Sequence, residues 1–291
     1  MKILVTGGAG FVGSNLIKRL NIPENIIISL DNYSSGNINN HHEGVKYING
    51  NTWDILEIEE LKKFKPDIIF HFGEYSRIHQ SFEEISKVFK SNFLGTQQVL
   101  EYTVKNNSFL IYSGSSAIFG SPSGIYGSDD NKNLSPYSFT KSKNIELIHN
   151  YSKWYNIELK FAICYFYNVY GPGQITSGDY ATVIGIFEEQ YKNNEPLTVV
   201  KPGTQKRCFT HIDDIIDGIL LVSEKGKGDG YLFGSHEEYS ILDIVKLFDT
   251  DFVYIYERKG ERYKSTFYDS KTKELGWTPK NDLKKYIKNM L

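Results

Sequence analysis

Cysteine is nearly absent. The 291 residues hold two, Cys164 and Cys208, in no metal-like spacing. No disulfide framework follows from such a pair, and no metal ligand set is expected. Charge of one sign is not in excess either: 33 Lys and Arg against 35 Asp and Glu leave a net charge of −2. That balance gives no broad nucleic-acid surface and no polybasic membrane patch. No apolar run approaches the ~18 uninterrupted residues of a membrane span. The opening residues, MKILVTGGAGFVG, hold too short an apolar stretch for a secretory signal. The expectation is a cytoplasmic protein with neither nucleic acid nor membrane among its partners.

What is present is a regular alternation. Lys2–Val5, Ile26–Leu30, Val45–Ile48, Asp67–His71, Phe109–Ser113 and Leu159–Tyr165 read as strands. Phe11–Leu20, Ile55–Lys63, Phe82–Lys105 and Tyr137–Tyr155 read as helices between them. Strand–helix alternation predicts an α/β fold: a doubly wound parallel sheet with helices on both faces. Ligands then bind at the carboxyl ends of the strands. After Asn168 the rhythm weakens, although Asp213–Glu224, Ile241–Phe248 and Ser270–Leu275 still read as helices and Phe252–Tyr256 as a strand. The expected division is a Rossmann domain from 1–167 and 203–228, with a smaller α/β substrate lobe from 168–202 and 229–291.

The first turn carries glycines at Gly7, Gly10 and Gly13, between a strand and a helix. Glycine permits a tight turn and close approach of backbone to a pyrophosphate, whose charge the free N–H groups of the helix start bind. About twenty residues on, Asp31 ends the second strand. A carboxylate there accepts hydrogen bonds from the adenosine ribose hydroxyls and repels a 2′-phosphate. Asn32 follows rather than Arg, so the pattern predicts NAD rather than NADP.

Tyr137-Ser-Phe-Thr-Lys141 sets a phenol and an ammonium four apart, on one helix face. Tyr137 is the only one of the 21 tyrosines with a lysine at that spacing. An ordinary tyrosine, with a pKa of about 10, is a poor base at neutral pH, and an adjacent cation favours the phenolate. The fifth strand ends in Ser113-Gly-Ser115-Ser116-Ala117, which puts hydroxyls at the carboxyl end of a central strand. Alone, the pair is as consistent with a solvated helix face and the serines with an ordinary turn.

Together these residues resemble the extended short-chain dehydrogenase/reductase family, in its nucleotide-sugar epimerase and dehydratase branch. TGGAGFVGS, LDNYSSG, FHFGE, SSAIFG, YSFTK, NVYGPG, KRCFTHIDD and ELGWTPK follow the family's markers in order over nearly the whole chain. The resemblance implies that Tyr137 is the base. Lys141 would bind the nicotinamide ribose and tune Tyr137, and Ser115 would hold the sugar O4. It implies cofactor contacts from Gly7, Gly10, Phe11, Val12, Gly13, Asp31, Asn32, Asn51, Thr52 and Phe72, with Asn92 supporting that side of the site. Ser116, Asn168, Arg207 and Arg258 would touch substrate, the two arginines at its diphosphate. A residue at Ser265, or Thr266, would gate the sugar pocket and, being small, admit a bulky sugar. A homodimer is implied through the helices 82–105 and 137–155.

Departures from the family narrow the chemistry. Its dehydratases carry Asp-Glu where Ser116 and Ala117 stand, so elimination of water lacks its acid and base. Reductase-epimerases have a cysteine at Ala117. A Ser-Ser-Ala run matches the 4-epimerases. The adenine-contacting Asp-Ile becomes Asn51-Thr52, an arginine becomes Tyr165, and a small residue of the fourth-strand motif becomes Glu74. The motif assigns that carboxylate no role. His71 reads as a packed core histidine, and the loop 121–135 is short and lacks the usual acidic stretch. The resulting expectation is an NAD-dependent nucleotide-sugar 4-epimerase. A 4-dehydrogenase that releases the 4-keto sugar is the alternative, with a 4,6-dehydratase or a non-catalytic NAD sensor behind it.

Overall fold

The computed structural model describes residues 1–119, 133–260 and 271–291. Strand β1 (Lys2–Thr6) is followed by α1 (Phe11–Leu20), β2 (Ile26–Asp31), β3 (Lys46–Asn49), the short α2 (Glu59–Lys63) and β4 (Ile68–His71). Helix α3 (Ile85–Val88) runs through a π-helical turn, Phe89–Leu94, into α4 (Gly95–Asn106). Then come β5 (Phe109–Ser115), α5 (Pro136–Tyr155) and β6 (Phe161–Phe166).

Seven parallel strands form the sheet in the order β11-β6-β5-β4-β1-β2-β3, where β11 is Gly228–Phe233. The inner strands are mostly apolar runs because both faces are covered, while the edge strands at 46–49 and 228–233 are not. Ile3, Val5 and Phe70 pack on one side with Ile215 and Ile219 of α7 (Ile212–Lys225). Leu4, Ile69 and Tyr112 pack on the other with Val99 of α4 and Ile148 of α5. The order reverses between β1 and β4, whose ends Thr6 and His71 lie side by side. That is the switch point where a doubly wound sheet opens a crevice.

Two readings of the sequence change here. The helix expected at 82–105 is interrupted: a 3₁₀ turn spans Gln80–Phe82 and the π turn spans Phe89–Leu94. The wider turn brings both Ser91 Oγ (3.1 Å) and Asn92 Oδ1 (2.6 Å) onto the N–H of Tyr75, and such turns recur at functional sites. Residues 229–233, placed with the lobe, belong to β11 (Gly228–Phe233), which pairs with β6 after the α7 crossover. Gly228-Asp229-Gly230 reads as a turn, and only the partner strand supplies its register.

The smaller lobe is built from α6 (Val183–Lys192), β8 (Leu197–Val200), α8 (Ile241–Phe248), β13 (Phe252–Ile255) and α10 (Leu283–Met290), and the short elements of this half are β7 (Val169–Tyr170), β9 (Lys206–Cys208), β10 (Thr210–His211), β12 (Glu238–Ser240) and α9 (Lys271–Glu274). Its core joins Phe187, Leu197, Val199, Ile244, Phe248 and Ile287. Within the stretch 203–228, Lys206–Cys208 pairs with Glu238–Ser240 rather than with the main sheet. Among the described residues no helix is long and apolar enough to cross a membrane.

Candidate active site

A cavity of about 490 Å³ runs from the carboxyl ends of β1 and β2 to the lobe. Its first wall is the glycine turn. Gly7 has φ +72°, and a Cβ on Gly13 would stand 2.2 Å from the Gly7 carbonyl oxygen, so a side chain at either position breaks the turn. Helix α1 starts at Gly10 without a side-chain cap, which leaves its first N–H groups for an anion. Asp31 closes this end. One carboxylate oxygen accepts from Ala9 N at 2.9 Å and the other from Tyr33 N at 2.8 Å. Burial pushes its pKa up against those donors. A carboxylate has about four lone-pair sites, so two remain for a ribose diol. These residues fit an NAD molecule: an uncapped helix start for its diphosphate, a bare glycine surface and a carboxylate for its ribose.

The chemical end is fixed by α5. Ser135 caps the helix in a reciprocal capping box with Ser138, and Pro136 occupies its first turn. Tyr137 and Lys141 therefore leave the helix at a defined height, facing the strand end that carries Ser115 and Ser116. All four line the cavity, as do Gly7, Gly10, Phe11, Val12, Gly13, Asp31, Asn32, Thr52, Phe72, Asn168, Arg207 and Arg258. Asn168 takes a left-handed conformation, φ 23°, and donates to the Cys208 carbonyl at 2.8 Å.

Two expected contacts stand back from the cavity. Asn51 accepts from Asn32 Nδ2 at 3.1 Å and donates to Asp54, so it braces Asn32. Asn92 is fully buried and holds the backbone of Tyr75. Tyr165 donates to Asp229 at 2.7 Å and ties β6 to β11. Ser265, Thr266 and residues 120–132 of the serine-rich loop lie outside the described residues.

The residue without an assigned role lies at the centre. Glu74, 2% exposed at its side chain, forms an ion pair with Lys141. Its other oxygen accepts from Thr96 Oγ1 (3.1 Å), Tyr112 Oη (3.1 Å) and Asn144 Nδ2 (2.8 Å). Lys141 also donates to the Ser113 carbonyl at 2.6 Å. Behind this, His71 bonds Thr96 Oγ1 through Nε2 (3.0 Å) and Thr6 Oγ1 through Nδ1 (2.7 Å). Thr96 Oγ1 gives its one proton to Glu74, so it accepts from His71 Nε2–H, and Nδ1 of the neutral ring accepts the Thr6 hydroxyl proton. Burial lowers the His71 pKa to about 4 and holds the Tyr112 phenol well above its usual value, so both are neutral donors at pH 7.

Motif comparison overlooked Asn144 and Arg77. Asn144 was accessible from periodicity, since Tyr137, Lys141 and Asn144 recur at helical spacing. Arg77, three residues past Glu74, lines the cavity with its Nε buried and unpartnered. Its guanidinium lies 5.6 Å from the Tyr180 ring. Burial presses its pKa below the ordinary value, against the opposing influence of Tyr137, Tyr180 and Tyr75.

Known proteins resemble this chain over nearly its whole length. Residues 3–234 match the NAD dependent epimerase/dehydratase family. A Methanocaldococcus jannaschii protein, provisionally named UDP-glucose 4-epimerase, is 31% identical over 99% of this chain and 97% of its own. UDP-glucuronic acid decarboxylase 6 of Arabidopsis thaliana is 27% identical over 98% of this chain and 86% of its own. The crystal structure of UDP-glucose 4-epimerase from Thermotoga maritima with UDP-glucose superposes with a TM-score of 0.90. It shares 29% identity and covers 99% of this chain and 96% of its own.

Proposed function

Because this chain belongs to the NAD-dependent epimerase/dehydratase family, we propose that it inverts C4 of a nucleotide-sugar through a transient 4-keto sugar. One observation carries the reading. Tyr137 and Ser115 share the cavity with the glycine turn, and so do Ser116 and Ala117, which stand where the family resemblance puts the Asp-Glu pair of the dehydratases. Neither of those side chains can protonate a leaving hydroxyl at neutral pH.

Bound NAD supplies the hydride acceptor, and then the donor, at the sugar carbon. The chain does the rest. Tyr137 takes the 4-hydroxyl proton as the ketone forms and returns it on the way back. Lys141 stands one helical turn from Tyr137, on the same face of the helix and in the same cavity. Ser115 holds O4 in line with Tyr137, which fixes the geometry of transfer. Arg207 and Arg258 face the same cavity, where guanidinium forks suit a diphosphate. Inversion requires the ketone to turn before hydride returns. A ketone that leaves instead makes the enzyme a net 4-dehydrogenase.

The test is incubation with UDP-, GDP- and dTDP-hexoses and hexosamines, followed by proton NMR. A C4 epimer that disappears with Tyr137→Phe supports the reading. Accumulated 4-keto sugar with stoichiometric NADH selects the dehydrogenase. A 4-keto-6-deoxy sugar or a decarboxylated pentose would overturn both. The same family reading carries a homodimer, supported by the exposed Phe89, Phe93, Leu94 and Phe139 on the π turn and α5.

A further inference from the structure

We infer that Glu74 is a positioning residue of the reaction, whose carboxylate holds the Lys141 ammonium charged and oriented beside Tyr137. The inference rests on the proposed activity for its kinetic readouts and stands apart from it in its binding readout.

The geometry is that of a built pair. Lys141 and Glu74 are 4% and 2% exposed at their side chains, so neither charge is hydrated. A buried ammonium without an anion sheds its proton, and a buried carboxylate without donors takes one up. Here each is supplied. Glu74 spends one oxygen on Lys141 and collects three neutral donors, Thr96, Tyr112 and Asn144, on the other. Those donors come from α4, β5 and α5, so the carboxylate is oriented by three separate elements.

Lys141 has three protons. One goes to Glu74 and one to the Ser113 carbonyl at 2.6 Å. The third meets only a 3.4 Å contact to Ser113 Oγ and the Tyr112 ring, 4.9 Å away at its centroid, so a ligand oxygen in the cavity can take it. Glu74 thus decides both that Lys141 is charged and which proton it offers.

The titratable groups packed against the pair are His71, Tyr112 and Tyr137, with Arg77 beyond Tyr137. His71 and Tyr112 are neutral across the working range. Glu74 is therefore the anion that balances Lys141 inside the protein. A structural role alone would need only the donors' partner. A positioning role needs the charge.

Glu74→Gln keeps the shape and removes the charge, and the comparison is a double-mutant cycle with Lys141→Met. If Glu74 acts through Lys141, kcat falls roughly tenfold or more in Glu74→Gln. The double variant is then no worse than Lys141→Met alone within about a factor of two. The loss falls on kcat, with KM for the nucleotide-sugar within about twofold of wild type, because the substitution acts beside the reacting oxygen and not on sugar binding.

The binding arm needs no turnover. Calorimetric NAD titration of cofactor-stripped protein is expected to show roughly tenfold weaker affinity in Glu74→Gln, again with no further loss in the double variant. Losses that multiply in the cycle, or a rise in KM with kcat unchanged, would overturn the inference. Should Glu74→Gln fail to fold, Glu74→Asp replaces it. It keeps the charge and withdraws the oxygen, and the same non-additivity is required. A wild type that turns over no nucleotide-sugar sinks the proposed function, and the binding cycle still decides Glu74.

Discussion

Asn92 grips the backbone of Tyr75 from both sides. Its Oδ1 accepts the Tyr75 N–H at 2.6 Å and its Nδ2 donates to the Tyr75 carbonyl at 3.0 Å. A segment outside regular structure has no ladder to satisfy its peptide groups, so a side chain must do it. The bracketed residue lies between Glu74 and Arg77, and the two charged side chains take their positions from it. Asn92 therefore acts on the cavity from outside it.

Replacing Asn92 with alanine leaves a buried N–H and a buried carbonyl short of their partner. Ser91 Oγ still reaches the N–H at 3.1 Å, so the carbonyl bears most of the loss. The expected destabilisation is about 2–3 kcal/mol by urea unfolding. Faster amide exchange in the segment 74–78 should accompany it. Wild-type stability together with wild-type exchange in Asn92→Ala would show that the bracket is dispensable.

His71 predicts an acid-side weakness. Its folded pKa, about 4, lies below the unfolded value of 6.5 because burial disfavours the imidazolium. Between those two values the unfolded chain binds the proton and the folded one does not. The stability is fully present above pH 6.5 and is lost as pH falls toward 4. The loss attributable to this group is on the order of 3 kcal/mol. Urea midpoints across that window, for wild type against His71→Asn, isolate it from the carboxylates. Parallel curves for the two proteins would remove the assignment.

Legibility in the sequence followed the range of the interactions. Five of the first six strands were readable because each buries an apolar run on two faces, whereas the edge strand β3 buries only Ile48; α1 was readable because Gly7 to Gly13 announces its start. The pairing of Tyr137 with Lys141 is local and needed only helical spacing. Glu74 is the opposite case. Its partners Thr96, Tyr112, Lys141 and Asn144 sit on three elements, and no spacing in the chain connects them. The break at Phe89–Leu94 was equally hidden, since its cause is the distant Tyr75 backbone. Strand β11 begins as a glycine-rich turn and becomes a strand only against β6.

The π turn and α5 also present an apolar face. Phe89 and Phe139 stack at 5.8 Å between ring centroids and remain 38% and 39% exposed; Phe93 and Leu94 are each 41% exposed. Clusters of this kind mark association surfaces. A second copy of the chain, packing the same helices across a two-fold axis, is the expected occupant. Phe93→Asp should convert the dimer to monomer in light scattering. It should leave unfolding of the monomer nearly unchanged, because an exposed position contributes little to the fold. A wild type that is monomeric at micromolar concentration would contradict the dimer outright.

Among the described residues Arg77 is a cavity cation with no carboxylate partner. Its Nε is buried without a hydrogen bond, and its one contact of that kind runs from a terminal nitrogen to the Ser76 carbonyl at 3.4 Å. A guanidinium held this way bears a desolvation cost that no protein anion offsets, so a ligand oxygen gains what the free protein forgoes. Arg77→Gln is accordingly expected to leave the ligand-free protein within about 1 kcal/mol of wild type. The increase in Tm that a saturating nucleotide-sugar produces should shrink by at least half. Arg77→Lys should restore little of it, because an ammonium cannot reproduce the planar fork. If Arg77→Gln instead weakened the ligand-free fold by more than about 2 kcal/mol and left the ligand-induced increment intact, the side chain would be serving the scaffold and not the substrate.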